Sequence, residues 1–360
     1  MNSNVQVLPV ETLSVPGNIN VDMASASGGG KRRLMVSDNP ETLTPQSLPE
    51  NTGTLWHDVV QTTRHSVKHR IFGWHYNLTG VDVQIGVTVE NKCSDRIEVR
   101  HIERSLVISP SDGNWLIDVG QKLAVDCIGG TLEAIRPVDP YKFGAGNALL
   151  ESFGLPAGSL AGFIYEFTVE HADGRGSLDY RVRTVASKDA ETDLREITAP
   201  ALPALPPPQG HPRGVWPFSL TDAVTPVYTV GTSANYRACA SKTLSGGVPA
   251  DLLYRAASSL LEPALDNSGQ FGAVYQVTIP IRNTGSETKT VRIRINPRGG
   301  AFAGAVRVGD DVYGVPLLRD NTKACRIADL AVAPGETAFT FQFMTGGASS
   351  TPLGIYVTTE

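Results

Sequence analysis

The sequence predicts an all-β protein built as two antiparallel β-sandwich domains in tandem, with one or two short helices. Three observations lead there. Apolar and polar residues alternate along many short stretches, the period of a half-buried strand. Glycine (36) and proline (24) make up about a sixth of the 360 residues, which favours turns over long helices. Two phrases of the first half also recur in style in the second.

Residues 1–34 read as a flexible N-terminal tail, ending in "SASGGGKRRL". The first sandwich is expected over 35–198, opening at "LMVSDNPETL", where Ser37, Asp38 and Asn39 precede Pro40 as turn formers. In "VDVQIGVTVEN" (81–91), Val81, Val83, Ile85, Val87 and Val89 share one face. In "AGFIYEFTVEH" (161–171), Phe163, Tyr165, Phe167 and Val169 do the same, and Asp173-Gly174 then suggests a hairpin. A helical turn is expected at "NALLES" (147–152).

Residues 199–213 are proline-rich and read as a linker or edge-hugging crossover, because proline donates no backbone hydrogen bond. The second sandwich is expected over 214–360. Its strands are "VYQVTIPIRN", "TKTVRIRINP", "AGAVRVGDDVYGVPLL" and "TAFTFQFM". One helix is expected at "VPADLLYRAASSLLEP" (248–263), with Pro249 in its first turn and Pro263 as its stop. The repeat pairs "DVQIGVTVENKCSDRIEVRHI" with "VYQVTIPIRNTGSETKTVRIRI", and "LPAGSLAGFIYEFTV" with "LAVAPGETAFTFQFM".

A net charge of -5 offers no general attraction to phosphate backbones, so nucleic acid is not an expected partner. No apolar run reaches the ~18 residues that cross a bilayer. The opening residues lack the basic and apolar regions of a signal peptide. Four cysteines permit Cys93–Cys127 and Cys239–Cys325 bridges, or four buried thiols.

His65 and His69 form an H-x3-H pair, but in a strand four residues span ~13 Å, too far to share one ion. No metal or cofactor is expected. No nucleophile elbow, phosphate-cradling loop or paired carboxylates stand out, so no catalytic residues are assigned and the chain is read as a non-enzyme. Asp266, Asn267 and Ser268 in "LDNSGQ" offer oxygens, but the spacing suits a turn better than calcium. Asn77-Leu78-Thr79 is a formal glycosylation sequon. Trp115, in the turn-rich "SPSDGNWLID", is the tryptophan expected to be exposed for carbohydrate. Arg213 and Arg298, each between Pro and Gly, are ligand candidates, although a rim arginine at a strand-ending turn explains both phrases.

In order along the chain, "MVSDNPETL", "TLWHDVV", "HPRGVWPF", "GQFGAVYQVTIPIRN" and "NPRGGAFAGAV" resemble a family of poorly characterised bacterial cell-surface proteins. Those proteins often carry a stalk labelled copper amine oxidase N-terminal-like, which is not seen here. The resemblance covers roughly residues 35–360 and implies an exported β-sandwich protein. It implies no amine oxidase activity and transfers no site residue. The expected function is therefore a cell-surface or envelope structural protein, self-assembling by strand exchange through its N-terminal tail. The alternative is a glycan- or cell-wall-binding module.

Overall fold

The computed structural model describes residues 5–13, 25–30, 32–135, 141–206, 211–239 and 264–360. Their strands, in chain order, are β1 (Val10–Thr12), β2 (Ser25–Gly29), β3 (Arg32–Ser37), β4 (Thr42–Leu43), β5 (Thr52–Thr62), β6 (Ser66–Asn77), β7 (Val83–Asn91), β8 (Ile97–Pro110), β9 (Glu133–Ala134), β10 (Tyr141–Phe143), β11 (Gly146–Leu155), β12 (Ser159–His171) and β13 (Leu178–Ser187). The second half adds β14 (Arg213–Trp216), β15 (Leu220–Val224), β16 (Tyr228–Thr229), β17 (Ser233–Ala238), β18 (Val274–Asn283), β19 (Lys289–Pro297), β20 (Phe302–Val308), β21 (Asp311–Leu318), β22 (Lys323–Val332), β23 (Gly335–Thr345) and β24 (Leu353–Thr359). Among the described residues one α-helix, α1 (Lys122–Gly129), follows a π-helical lead-in over Leu116–Gln121, and a 3-10 turn spans Leu194–Glu196.

The chain is all-β, as expected. Sheet order β10-β8-β12-β6-β3-β14 faces β11-β7-β13-β5. Between them lies an apolar core that includes Trp56, Ile71, Phe163, Tyr165, Phe167 and Val182. Order β2-β15-β18-β23-β20-β21 faces β1-β22-β19-β24-β17 around a second core with Ile279, Ile293, Phe341 and Ile355. In each sandwich, alternate residues of a strand point into the core, so period-two patterning becomes burial.

The two sandwiches repeat one topology. The row β5-β13-β7-β11 corresponds to β17-β24-β19-β22, and β3-β6-β12-β8 to β15-β18-β23-β20. In both, the entering strand runs parallel to its neighbour: β3 beside β6, β15 beside β18. The pairing of β12 with β23 thus agrees with the sequence repeat. The other repeat is displaced by one strand, because β18–β19 answers to β6–β7 and not to β7–β8.

The cause of the displacement is a shared asparagine turn. Asn77 Nδ2 donates to Val81 O (2.8 Å) and Leu155 O (2.9 Å), while its Oδ1 accepts from Thr79 N. Asn283 donates to Glu287 O (2.8 Å) and Val332 O (2.9 Å), and accepts from Gly285 N. Asn91 closes the next hairpin in the same way on Asp95 O and Cys93 N. Asn77 is fully buried, so its sequon is used for this turn. Asn77→Ala or Asn283→Ala should each lower stability by about 2–4 kcal/mol, since two carbonyls lose their donor. Asn→Asp should rescue neither, because a carboxylate cannot donate. Urea unfolding of the four variants measures this.

The helical turn expected at 147–152 is instead part of β11, with Asn147 opposite Glu90 and Ser152 opposite Gly86. Ala148 and Leu150 are buried on one face, a spacing that a Leu pair obscures. Conversely, "NWLIDVGQKLAVDCIGG" holds α1, which the sequence reading does not expect; Val119 of the lead-in and Leu123 and Ile128 of α1 are buried. Gly130, at φ 66°, ends it. The helix expected at 248–263 lies outside the described residues.

The stretch expected as a tail is paired wherever it is described. β1 extends the second sandwich beside β22, β2 extends it beside β15, and β3 enters the first sandwich. The proline-rich stretch hugs the first sandwich, with Leu202 N bonded to Thr54 O at 2.8 Å. β14 then pairs with β3, still within that sandwich.

A third apolar cluster joins the halves. Phe72 stacks on both Trp74 and Phe271, at 6.3 Å and 5.5 Å between ring centroids. α1 wedges between β12 and β20, and Gln121 Nε2 donates to Val315 O across the junction at 2.7 Å. Gly120 and Gly347 permit the backbone approach: a Cβ on Gly120 would lie 2.5 Å from Gly347 O. Arg70, ion-paired with Glu166 at 2.7 Å, also reaches Gly272 O at 3.0 Å.

Candidate functional site

Loops that the sequence presents as separate turns meet at the junction. The segment after β3 brings Asp38 and Glu41, and the approach to β14 brings His211 and Pro212. The loop before β18 adds Ser268 and Phe271, the β19–β20 turn adds Gly299, and the loop before β24 adds Ser349, Ser350 and Thr351. With Trp74 on β6 they line a cleft of about 510 Å³.

Hydrogen bonds tie these loops to one another. Asp38 N donates to Pro212 O (3.2 Å), and Asn39 Nδ2 donates to His211 O (3.2 Å). Thr351 Oγ1 donates to Ser268 O (2.6 Å), and Ser349 Oγ to Ala303 O (2.8 Å). Asn267 clasps Phe271, its Nδ2 donating to Phe271 O and its Oδ1 accepting from Phe271 N, at 2.9 Å each, so "LDNSGQ" is a turn as expected. A Cβ on Gly299 would lie 1.8 Å from Thr351 O, so only glycine allows those two loops to touch.

The charged centre of the cleft is Asp38, Glu41 and His211. His211 Nδ1 lies 2.5 Å from Glu41 Oε2 and 4.0 Å from Asp38 Oδ2. Asp38 is buried, and burial followed by the Glu41 charge holds its carboxyl well above the usual range.

The residues singled out from the sequence lie elsewhere or beside this site. Trp115 is half-buried, tilted against Tyr76 at 4.9 Å, with Nε1 donating to Pro110 O at 3.0 Å. It is thus not the exposed platform expected. Arg213 is buried over the Trp56 ring at 4.6 Å and donates to Leu202 O at 2.6 Å. Arg298 is half-buried at the cleft edge, its N–H bonded to Pro352 O at 3.1 Å, its guanidinium pushed below its usual range by burial and by Arg237.

Of the two readings the cysteines permit, the free-thiol one holds: none is bridged, and Cys127, Cys239 and Cys325 are buried while Cys93 is half-buried. Cys93 packs against the first core, whereas Cys127 is on α1, beyond the other face of the sheet that carries β8, β12 and β6. Cys325 is on β22, and Cys239 just follows β17, three strands away. Three strand spacings are roughly 14 Å, against the ~6 Å between Cα atoms of a disulfide. His65 is exposed and His69 is buried in the first core beside Tyr180 OH at 2.6 Å, so the two share no ion.

Sequence reasoning missed Asp38, Glu41 and His211. "HPRG" drew attention to its arginine, but the histidine two residues earlier faces the cleft. No local spacing flags the trio, because 170 residues separate Glu41 from His211. The available signal was that each phrase carrying the family resemblance, except "TLWHDVV", supplies a wall of the cleft.

No family model matches the chain, and no curated protein matches it. Among solved structures, the N-terminal CBM22-1-CBM22-2 tandem domain of Xyn10C from Paenibacillus barcinonensis is similar at 11% identity over 99% of each chain. Its TM-score of 0.12 carries no argument about this chain. No helix among the described residues is long and apolar enough to cross a membrane.

Proposed function

We propose that this chain is a non-enzymatic, cell-surface binding protein whose ligand, a saccharide of the envelope, enters the cleft between the sandwiches. One observation carries the reading: turns from both halves converge on one polar cleft. Carboxyl oxygens of Asp38 and Glu41 can accept from sugar hydroxyls, the serines can donate or accept, and Trp74 and Phe271 supply an apolar flank. Small ligands are usually bound in concave sites whose polar groups fix their orientation. The surface location is the one the family resemblance implies. Strand exchange has less support, since the N-terminal segment already pairs within its own chain.

The test is binding to purified wall polysaccharide. Ser268 is exposed at the cleft, so Ser268→Trp should fold and block it, weakening binding by about tenfold or more. Trp115→Ala should leave binding unchanged. No binding by the unaltered protein, or loss on Trp115→Ala alone, would reject the cleft.

A further inference from the structure

We propose that Asp38, Glu41 and His211 form a site for one divalent transition-metal ion of the Zn2+ or Mn2+ kind. Their ligand atoms all lie within 4.8 Å of one another. The bonds from Asp38 N to Pro212 O and from Asn39 Nδ2 to His211 O fix the two contributing loops against each other, so the ligands are brought together by backbone and not by chance contact of long side chains.

A second observation points to a cation. Asp38 Oδ1 is buried with no hydrogen-bond partner, on a residue 2% exposed that lines the cleft. Buried polar atoms are normally satisfied, and a metal ion meets a carboxylate oxygen here as no neighbouring donor does. Around an ion with ligands ~2.0–2.2 Å away, ligand atoms stand roughly 3 Å apart. The His211–Glu41 contact at 2.5 Å must open slightly and the His211–Asp38 separation of 4.0 Å must close, both within side-chain rotation.

The donor set selects the ion class. Imidazole nitrogen favours first-row transition ions over calcium and magnesium, and carboxylates keep the site suited to Mn2+ as well as Zn2+. Three protein ligands leave at least one position facing the cleft, open to water or to a ligand oxygen. The site does not depend on the saccharide reading, because the ion alone is the probe.

Protein stripped with chelator and titrated calorimetrically with Zn2+ or Mn2+ should bind one equivalent. His211→Ala and Glu41→Gln, both at partly exposed positions, should fold and weaken that binding by about 100-fold or more. Thermal melts without metal verify their folding. His65→Ala, which removes an exposed histidine elsewhere, should change nothing. Absence of stoichiometric binding, unchanged affinity in both variants, loss on His65→Ala, or binding of Ca2+ or Mg2+ alone would each overturn the proposal.

Discussion

Lowering the pH from 6.5 towards 4 is expected to unfold this protein. Among the histidines buried in the first sandwich are His57, His69 and His75. Burial lowers each to about 4 from 6.5. Around His57, the Arg181, Arg183 and Arg213 charges lower it further and Asp58 opposes them. Around His69, Asp58 raises while Arg33 and Arg32 lower. Around His75, the hydrogen bond to Pro40 O at 2.8 Å raises it against burial, and Ser37 Oγ lies 3.2 Å from its Nε2.

The sign follows from proton binding. Between pH 6.5 and 4 the unfolded chain binds protons that the folded chain refuses, so stability falls as the pH falls. Each imidazole accounts for on the order of 3 kcal/mol once the pH is below 4. Three together approach the ~5–15 kcal/mol that holds a typical domain. Asp38, raised by burial, contributes with the opposite sign, and one carboxyl does not offset three imidazoles. Thermal midpoints at pH 7, 6, 5 and 4.5 should fall steeply and change little with salt, since the groups are buried. A flat profile over that range would contradict the burial of the three rings.

Removing residues 1–13 should destabilise the second sandwich by about 3–5 kcal/mol and make the chain associate. Leu8 is 4% exposed within that core, and its N–H bonds to Gly314 O at 3.0 Å. β1 covers the edge of β22, with Val10 opposite Cys325. Glu11 meets three arginines: Arg294 at 2.5 Å, Arg326 at 3.6 Å and Arg292 at 3.8 Å. Arg294 is 5% exposed, so losing Glu11 leaves a buried cation with one carboxylate, Glu360, beside Thr358 and the Tyr356 ring. Glu11→Gln and Leu8→Ala separate the charge from the apolar anchor. Size-exclusion chromatography and thermal melts should show a lower midpoint and larger species for the truncated chain. A monomer with an unchanged midpoint would mean that this segment merely lies on the surface.

The strands were legible because burial in a sandwich imposes a local signal, alternation, that survives without knowing the partner strand. The arm was not. "NVQVLPVETL" has a strand's composition, but nothing local says that Glu11 will meet arginines 281 to 315 residues later. The one-strand displacement of the repeat has a similar cause: Asn77, Asn91 and Asn283 make the same turn, so turn chemistry alone cannot fix which hairpin is equivalent. The candidate site was least legible of all. Its residues lie in loops from both halves, and their proximity goes with the lead-in to α1 seating Gly120 against Gly347.

That dependence exposes the central claim, that the sandwiches are locked as one body and so hold the cleft. Scanning calorimetry near pH 7 tests it directly. An N-terminal segment that pairs into both sandwiches and a common apolar junction predict one transition, with calorimetric and van't Hoff enthalpies equal. Two resolved transitions, each carrying the enthalpy of a single sandwich, would contradict it.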